Sequence, residues 1–152
     1  MLPVWLVVFF GAIFMAYTAV DTPKKADAIT QITADVSATN FLAYRRAVQG
    51  YLVANPGTTG TVADVSLDQY WLTGYVRDTH WTNLVDGGAL YVYSSASPAA
   101  NTLDAIRAKS PENLLLGTKD ATTGRLKSYN GFDTGIVLPA GIPNNVIVMM
   151  GR

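Results

Sequence analysis

From Leu2 to Val20 the chain reads LPVWLVVFFGAIFMAYTAV, with no charged side chain anywhere in the stretch. About 20 apolar residues rising ~1.5 Å each carry a helix across the ~30 Å hydrocarbon core of a bilayer, and this stretch reaches that length. Two other structures use such a run, a cleaved secretory signal and a buried core helix. A secretory signal carries a basic region ahead of a shorter apolar run, whereas nothing before Pro3 bears a side-chain charge. Residues 1–20 are therefore read as a single transmembrane anchor that stays in the mature protein. Within it, Ala12-x-x-x-Ala16 has the spacing of small residues that lets membrane helices approach closely. Ala12 and Ala16 are thus the candidate packing residues for a second copy or a neighbouring helix.

What remains beyond the anchor suffices for one domain of ordinary size. Lys plus Arg and Asp plus Glu balance at 11 each, all of them after Val20, so no net field attracts nucleic acid and none is expected as a partner. Charged residues are only 14% of the chain, with Glu112 its one glutamate, a composition that leans toward an extracytoplasmic surface. The lack of cysteine removes disulfides, thiolate nucleophiles, Cys-ligated metals and cysteine lipidation together. Orientation is contested, because Lys24 and Lys25 follow the apolar run directly and favour a cytoplasmic domain by the positive-inside rule.

Pro23 disfavours helical dihedrals at Thr22, so residues 21–25 are expected to form a break or short linker before a single domain over 26–152. From Ala26 to Ala54 the pattern is an amphipathic helix, with Ile29, Ile32, Val36, Ala43 and Ala47 as its apolar stripe and Phe41, Tyr44, Val48, Tyr51 and Leu52 widening it. Early acids and late Arg45 and Arg46 complement the macrodipole, and Asn55-Pro56-Gly57 stops the helix. Ser66 is the expected cap of a short helix ending near Gly74. Trp81 to Val85 and Ala89 to Tyr93 flank Asp86-Gly87-Gly88 as a hairpin, because glycine accepts the positive φ of tight turns. In its second arm Leu90 and Val92 share one face and Tyr91 and Tyr93 the other, the face expected to be open for contact. Ser97-Pro98 opens a further helix through Leu103 and Ile106, and strands follow at Leu114 to Thr118, Arg125 to Tyr129, Gly135 to Leu138 and Val146 to Met150. The sum is an α+β fold: an N-terminal transmembrane helix, then a long amphipathic helix packed on a mostly antiparallel sheet, with short extra helices.

Chemistry has few candidates in this chain. His80 is its one histidine, and Asp78 is placed to orient the imidazole, but no Gly-x-Ser-x-Gly elbow accompanies them. The pair is read as structural or exposed, with a membrane-tethered hydrolase using His80 as the minor rival. Asp64, Asp68 and Asp78 lack the spacing of a calcium loop, and neither Gly-x-x-x-x-Gly-Lys-Ser/Thr nor Gly-x-Gly-x-x-Gly occurs. No catalytic residue, metal or cofactor is expected. Trp71 and Trp81 are assigned to the core, since aromatics dominate core burial.

An apolar helix running into an amphipathic one and then an antiparallel sheet resembles the layout of type IV pilins. Pilin processing calls for a short basic leader, a glycine before the cut and a glutamate at the fifth mature position, and Leu2 to Val20 holds no acidic residue. A closer resemblance covers essentially the whole chain. The opening MLPVWLVVFFGAIFMAY, the segment YRRAVQGYLVANPG at Tyr44 to Gly57, and the stretches LLLGTKDATTGRLKSYNG and VLPAGIPNN resemble the small PilM family of type IV thin-pilus clusters on conjugative plasmids. The resemblance implies a single-pass bacterial inner-membrane protein with a periplasmic C-terminal domain, acting without enzymatic activity in pilin transport or in the basal body of the pilus. It implies other pilus assembly proteins or pilins as partners, and the Ala12-x-x-x-Ala16 spacing leaves room for a homo-oligomer. The expected contact surface comprises Arg45 and Arg46 on the helix and Tyr91 and Tyr93 on the hairpin. A minor-pilin subunit of the fibre is the alternative.

Overall fold

The computed structural model describes the backbone of residues 4–151 and their side chains except at positions 4, 7, 11, 14 and 16–23. Helix α1 spans Val4–Ala54, 51 residues without interruption. Residues 21–25 are thus not the break expected. A proline inside a helix forfeits one main-chain hydrogen bond at a cost of about 3 kcal/mol, which a long ladder on both sides can carry. The anchor expected over residues 1–20 lies partly outside the described residues, and the side chain of Ala16 with it, while Ala12 is exposed. Among the described residues no helix is long and apolar enough to cross a membrane.

The half of α1 that packs on the domain is defined by Ala34, Ala38, Phe41, Tyr44, Ala47, Val48 and Leu52, all buried. These recur at three- and four-residue steps, the spacing of one helix face. Ile29, Ile32 and Val36, expected in the same stripe, are 65%, 63% and 62% exposed. Val36 stands two residues from both Ala34 and Ala38, roughly 200° round the axis, so burying one set turns the other outward.

A short 3-10 helix at Asp64–Tyr70 follows, preceded by Ala63, which makes no side-chain cap. The expected cap Ser66 lies inside it. Six strands then form one sheet: β1 (Trp81–Asp86), β2 (Ala89–Ser94), β3 (Leu116–Lys119), β4 (Arg125–Ser128), β5 (Asp133–Val137) and β6 (Ile147–Met150). Their order is β1-β2-β6-β3-β4-β5, with every pairing antiparallel. The last strand therefore joins two separately formed units, the β1–β2 hairpin and the β3–β4–β5 meander. Gly87 and Gly88 both take positive φ in the two-residue turn between Asp86 and Ala89, as a tight hairpin requires. At Gly117 a Cβ would overlap the Lys127 carbonyl oxygen, so β3 and β4 approach only because that position lacks a side chain. Helix α2 (Thr102–Lys109) begins after Asn101 in the left-handed region, later than Ser97-Pro98 suggests. It lies on α1, where Lys109 pairs with Asp35 at 2.8 Å.

The sheet is buried on both faces. Toward α1, Leu90, Val92, Leu116 and Met149 join Phe41, Tyr44, Val48 and Trp81 in the main core. On the far side the segment carrying Leu138, Ile142 and Val146 folds back beneath Tyr91, Leu126 and Val148. Tyr91 is consequently 7% exposed and Tyr93 half-buried, which corrects the expectation of an open tyrosine face. Alternation places the tyrosines opposite α1, but a loop from far along the chain covers them there.

Candidate interaction surface

Asn83 sits at an inward position of β1 between Trp81 and Val85, and is fully buried. Its Oδ1 accepts the Val62 N–H at 2.8 Å, while its Nδ2 donates to the Val62 carbonyl at 2.9 Å and to the Tyr44 hydroxyl at 2.7 Å. A buried amide is tolerated when its partners are all supplied. It ties α1, β1 and the loop before the 3-10 helix together.

Arg77 performs the same task nearer the surface. Its Nε donates to Asp64 at 2.9 Å, Nη1 to the Asp78 carbonyl and Nη2 to the Trp81 carbonyl at 2.6 Å, and its guanidinium lies 4.4 Å from the centre of the Tyr44 ring. Tyr44 stacks on Trp71 at 5.9 Å, and Trp71 on Tyr75 at 4.7 Å. The Tyr75 hydroxyl donates to Asn40 Oδ1 at 2.8 Å, and Asn40 Nδ2 donates to the Val76 carbonyl at 3.0 Å. Burial is the main cause that pushes the Tyr75 phenol up to about 12, against the opposing pull of Arg77.

With the segment around Trp71 to Trp81 held against the helix in this way, a groove opens on each side of Val36. One, of about 430 Å³, runs between Ile32 and Val36 on α1 and Trp81, Pro98 and Ala99. The other, of about 420 Å³, lies between Val36 and Ala43 and the loop residues Leu72 and Val76. Both are mainly apolar. Together with exposed Ile29 they make a face of α1, at and just before its first buried turn, that no described residue covers.

His80 stands at the edge of the first groove with its side chain largely exposed, and its Nδ1 lies 2.6 Å from Asp78 Oδ1. The same carboxylate oxygen accepts the His80 backbone N–H at 2.9 Å, the local geometry of an Asx turn. Among the described residues no hydroxyl donates to the ring, although Ser37 and Ser97 line the same groove. The carboxylate thus orients the imidazole without a nucleophile in hydrogen-bonding contact.

The expected contact residues do not form one surface. Arg46 is exposed, but Arg45 is half-buried, and burial pulls its guanidinium below the usual arginine range. Tyr91 and Tyr93 lie across the sheet from the helix that bears both arginines. The sequence alternation of β1 marks Asn83 as a polar residue at a core position, a readable signal. Nothing local marks Asn40, whose partners Tyr75 and Val76 lie far along the chain, and Arg77 combines its neighbours Asp78 and Trp81 with the distant Asp64 and Tyr44.

The class defined by this architecture is an α+β domain carried on one long N-terminal helix, with apolar grooves beside that helix. The chain belongs to the PilM family, whose sequence profile matches residues 9–150. A crystal structure described as PilM from Escherichia coli B7A superposes with a TM-score of 0.61 at 23% identity, covering 80% of this chain and 93% of that one, and shares the fold. A second, described as PilM from Pseudomonas aeruginosa 2192, is 25% identical over 78% of this chain and 95% of its own, with a TM-score of 0.42. No curated protein matches the chain. The PilM family relates to pilus biogenesis.

Proposed function

We propose that the protein is a non-enzymatic, single-pass inner-membrane component of a type IV pilus assembly machine, with its C-terminal domain in the periplasm. It acts as a tethered scaffold in pilin transport or in the basal body of the pilus. The observation that carries this reading is the division of α1. Among the described residues, the buried ones that join the helix to its own domain begin at Ala34, whereas Trp5, Val8, Phe9, Phe10 and Ile13 are exposed. Large apolar side chains exposed along an uncharged stretch mark a surface for a partner, and the sequence from Leu2 to Val20 has the length over which a bilayer supplies one. Confinement to the membrane plane then raises the effective concentration of the domain for weak contacts with other assembly proteins or pilins. The unpartnered face of Ile29, Ile32 and Val36 is the contact surface nearest the membrane.

A fusion at Arg152 to a reporter active only in the periplasm tests this reading. Periplasmic activity and resistance of the protein to alkaline extraction are expected, and a reporter active only in the cytoplasm overturns it. The continuous helix also suits a pilin-like subunit of the fibre. Stoichiometric recovery in sheared, purified pili would favour that alternative over the scaffold. A hydrolase using His80 is excluded if His80→Ala leaves pilus assembly unimpaired.

A further inference from the structure

Lys119, at the end of β3, is a buried cation, 6% exposed, whose partners are main-chain carbonyls. Its Nζ donates to the Pro139 carbonyl at 3.0 Å and the Ile142 carbonyl at 2.7 Å. Among the described residues no carboxylate reaches it within 4.0 Å. An ammonium has three donors, so among the described residues one is left over, and a charge removed from water is ordinarily paired with an opposite one. Lys119 also lines an open cleft of about 560 Å³, together with Tyr91, Asp86, Val137, Leu138 and Ala140. Burial, with a smaller contribution from the Asp86 charge, raises the Tyr91 phenol above its ordinary value, so it stays a neutral hydroxyl able to donate. The cleft therefore combines a cation, a second donor and an aliphatic wall.

We infer that this cleft binds a carboxylate on a short aliphatic stem, the group that a glutamate side chain of a partner protein presents. Lys119 supplies the opposite charge, Tyr91 a hydrogen bond, and Val137, Leu138 and Ala140 the contact for the stem. Asp86 in the same cleft repels the incoming charge and weakens the site. The cleft lies on the face of the sheet away from α1, so the inference holds whether or not the membrane reading does.

The probe is N-acetylglutamate α-amide, titrated into the isotopically labelled full chain, with N-acetylglutamine α-amide as its uncharged counterpart. Saturable shifts of the Gly124 and Ala140 amide resonances are expected with the glutamate probe and none with the glutamine probe. Binding should weaken as salt is raised. Lys119→Met should abolish it, and Asp86→Asn should tighten it about two-fold or more, the scale of one exposed charge interaction. Equal shifts with both probes, or an affinity indifferent to salt, overturn the inference. Should Lys119→Met fail to fold, the Asp86→Asn comparison decides, and unchanged affinity there overturns it. A peptide whose only carboxylate is its free C-terminus, if it binds more tightly than the glutamate probe, overturns the assignment to a glutamate side chain.

Discussion

Asn83 shows how much of this fold hangs on single polar side chains. Replacing it with Ala strands the Val62 N–H, the Val62 carbonyl and the Tyr44 hydroxyl in a buried core. Each unsatisfied buried group costs ~1–3 kcal/mol, so Asn83→Ala should lower unfolding free energy by about 3 kcal/mol or more, measured by urea denaturation. Tyr75 gives a prediction in pH. Its folded pKa of about 12 lies above the ordinary tyrosine value of 10.0, so the folded state favours the neutral phenol. The stability it contributes is complete below pH 10 and lost as pH rises toward 12, and burial raises Tyr44, Tyr91 and Tyr93 in the same direction. Unfolding free energy should therefore stay level up to about pH 10 and fall above it, with a shallower fall in Tyr75→Phe. A stability that stayed flat through pH 12 would contradict that environment.

At the scale of elements, α1 carries two apolar stripes and periodicity alone does not rank them. Phe41, Tyr44, Val48 and Leu52 are bulky enough to fill the space over the sheet, and they take it, leaving Ile29, Ile32 and Val36 outside. The double substitution Ile32→Glu and Val36→Glu should leave thermal stability almost unchanged, within ~0.5 kcal/mol per site, while reducing pilus assembly. Phe41→Ala, by contrast, should cost ~3–5 kcal/mol through the cavity it opens. A large destabilisation from the double variant would mean that the stripe packs within the domain after all. The β1–β2 hairpin was legible in the sequence because its information is local: a Gly87-Gly88 turn between alternating strands. The burial of Tyr91 was not, because the residues that cover it, Leu138, Ile142 and Val146, lie far along the chain.

For the whole molecule, the buried core among the described residues begins at Ala34, which places the domain's packing on the second half of α1. A chain starting at Lys24 should keep the denaturation midpoint of the full protein, read by urea titration, and under the proposed function it should fail to float with vesicles where the full chain does. A midpoint shifted far downward would show that residues before Lys24 belong to the folding unit. Strand β6 lies in the sheet between β2 and β3, so the β1–β2 hairpin and the β3–β4–β5 meander are joined in the sheet through it. By itself the sequence determined the α+β class, the places of most strands and turns, the uncharged opening stretch and the likeness to PilM. These depend on propensity, turn chemistry and hydrophobic pattern over short spans. Only the tertiary structure decided which stripe of α1 is buried, that the sheet is covered on both faces, and that Lys119 is a buried cation held by loop carbonyls. Each depends on surfaces brought together from distant parts of the chain, and no local pattern encodes such a meeting.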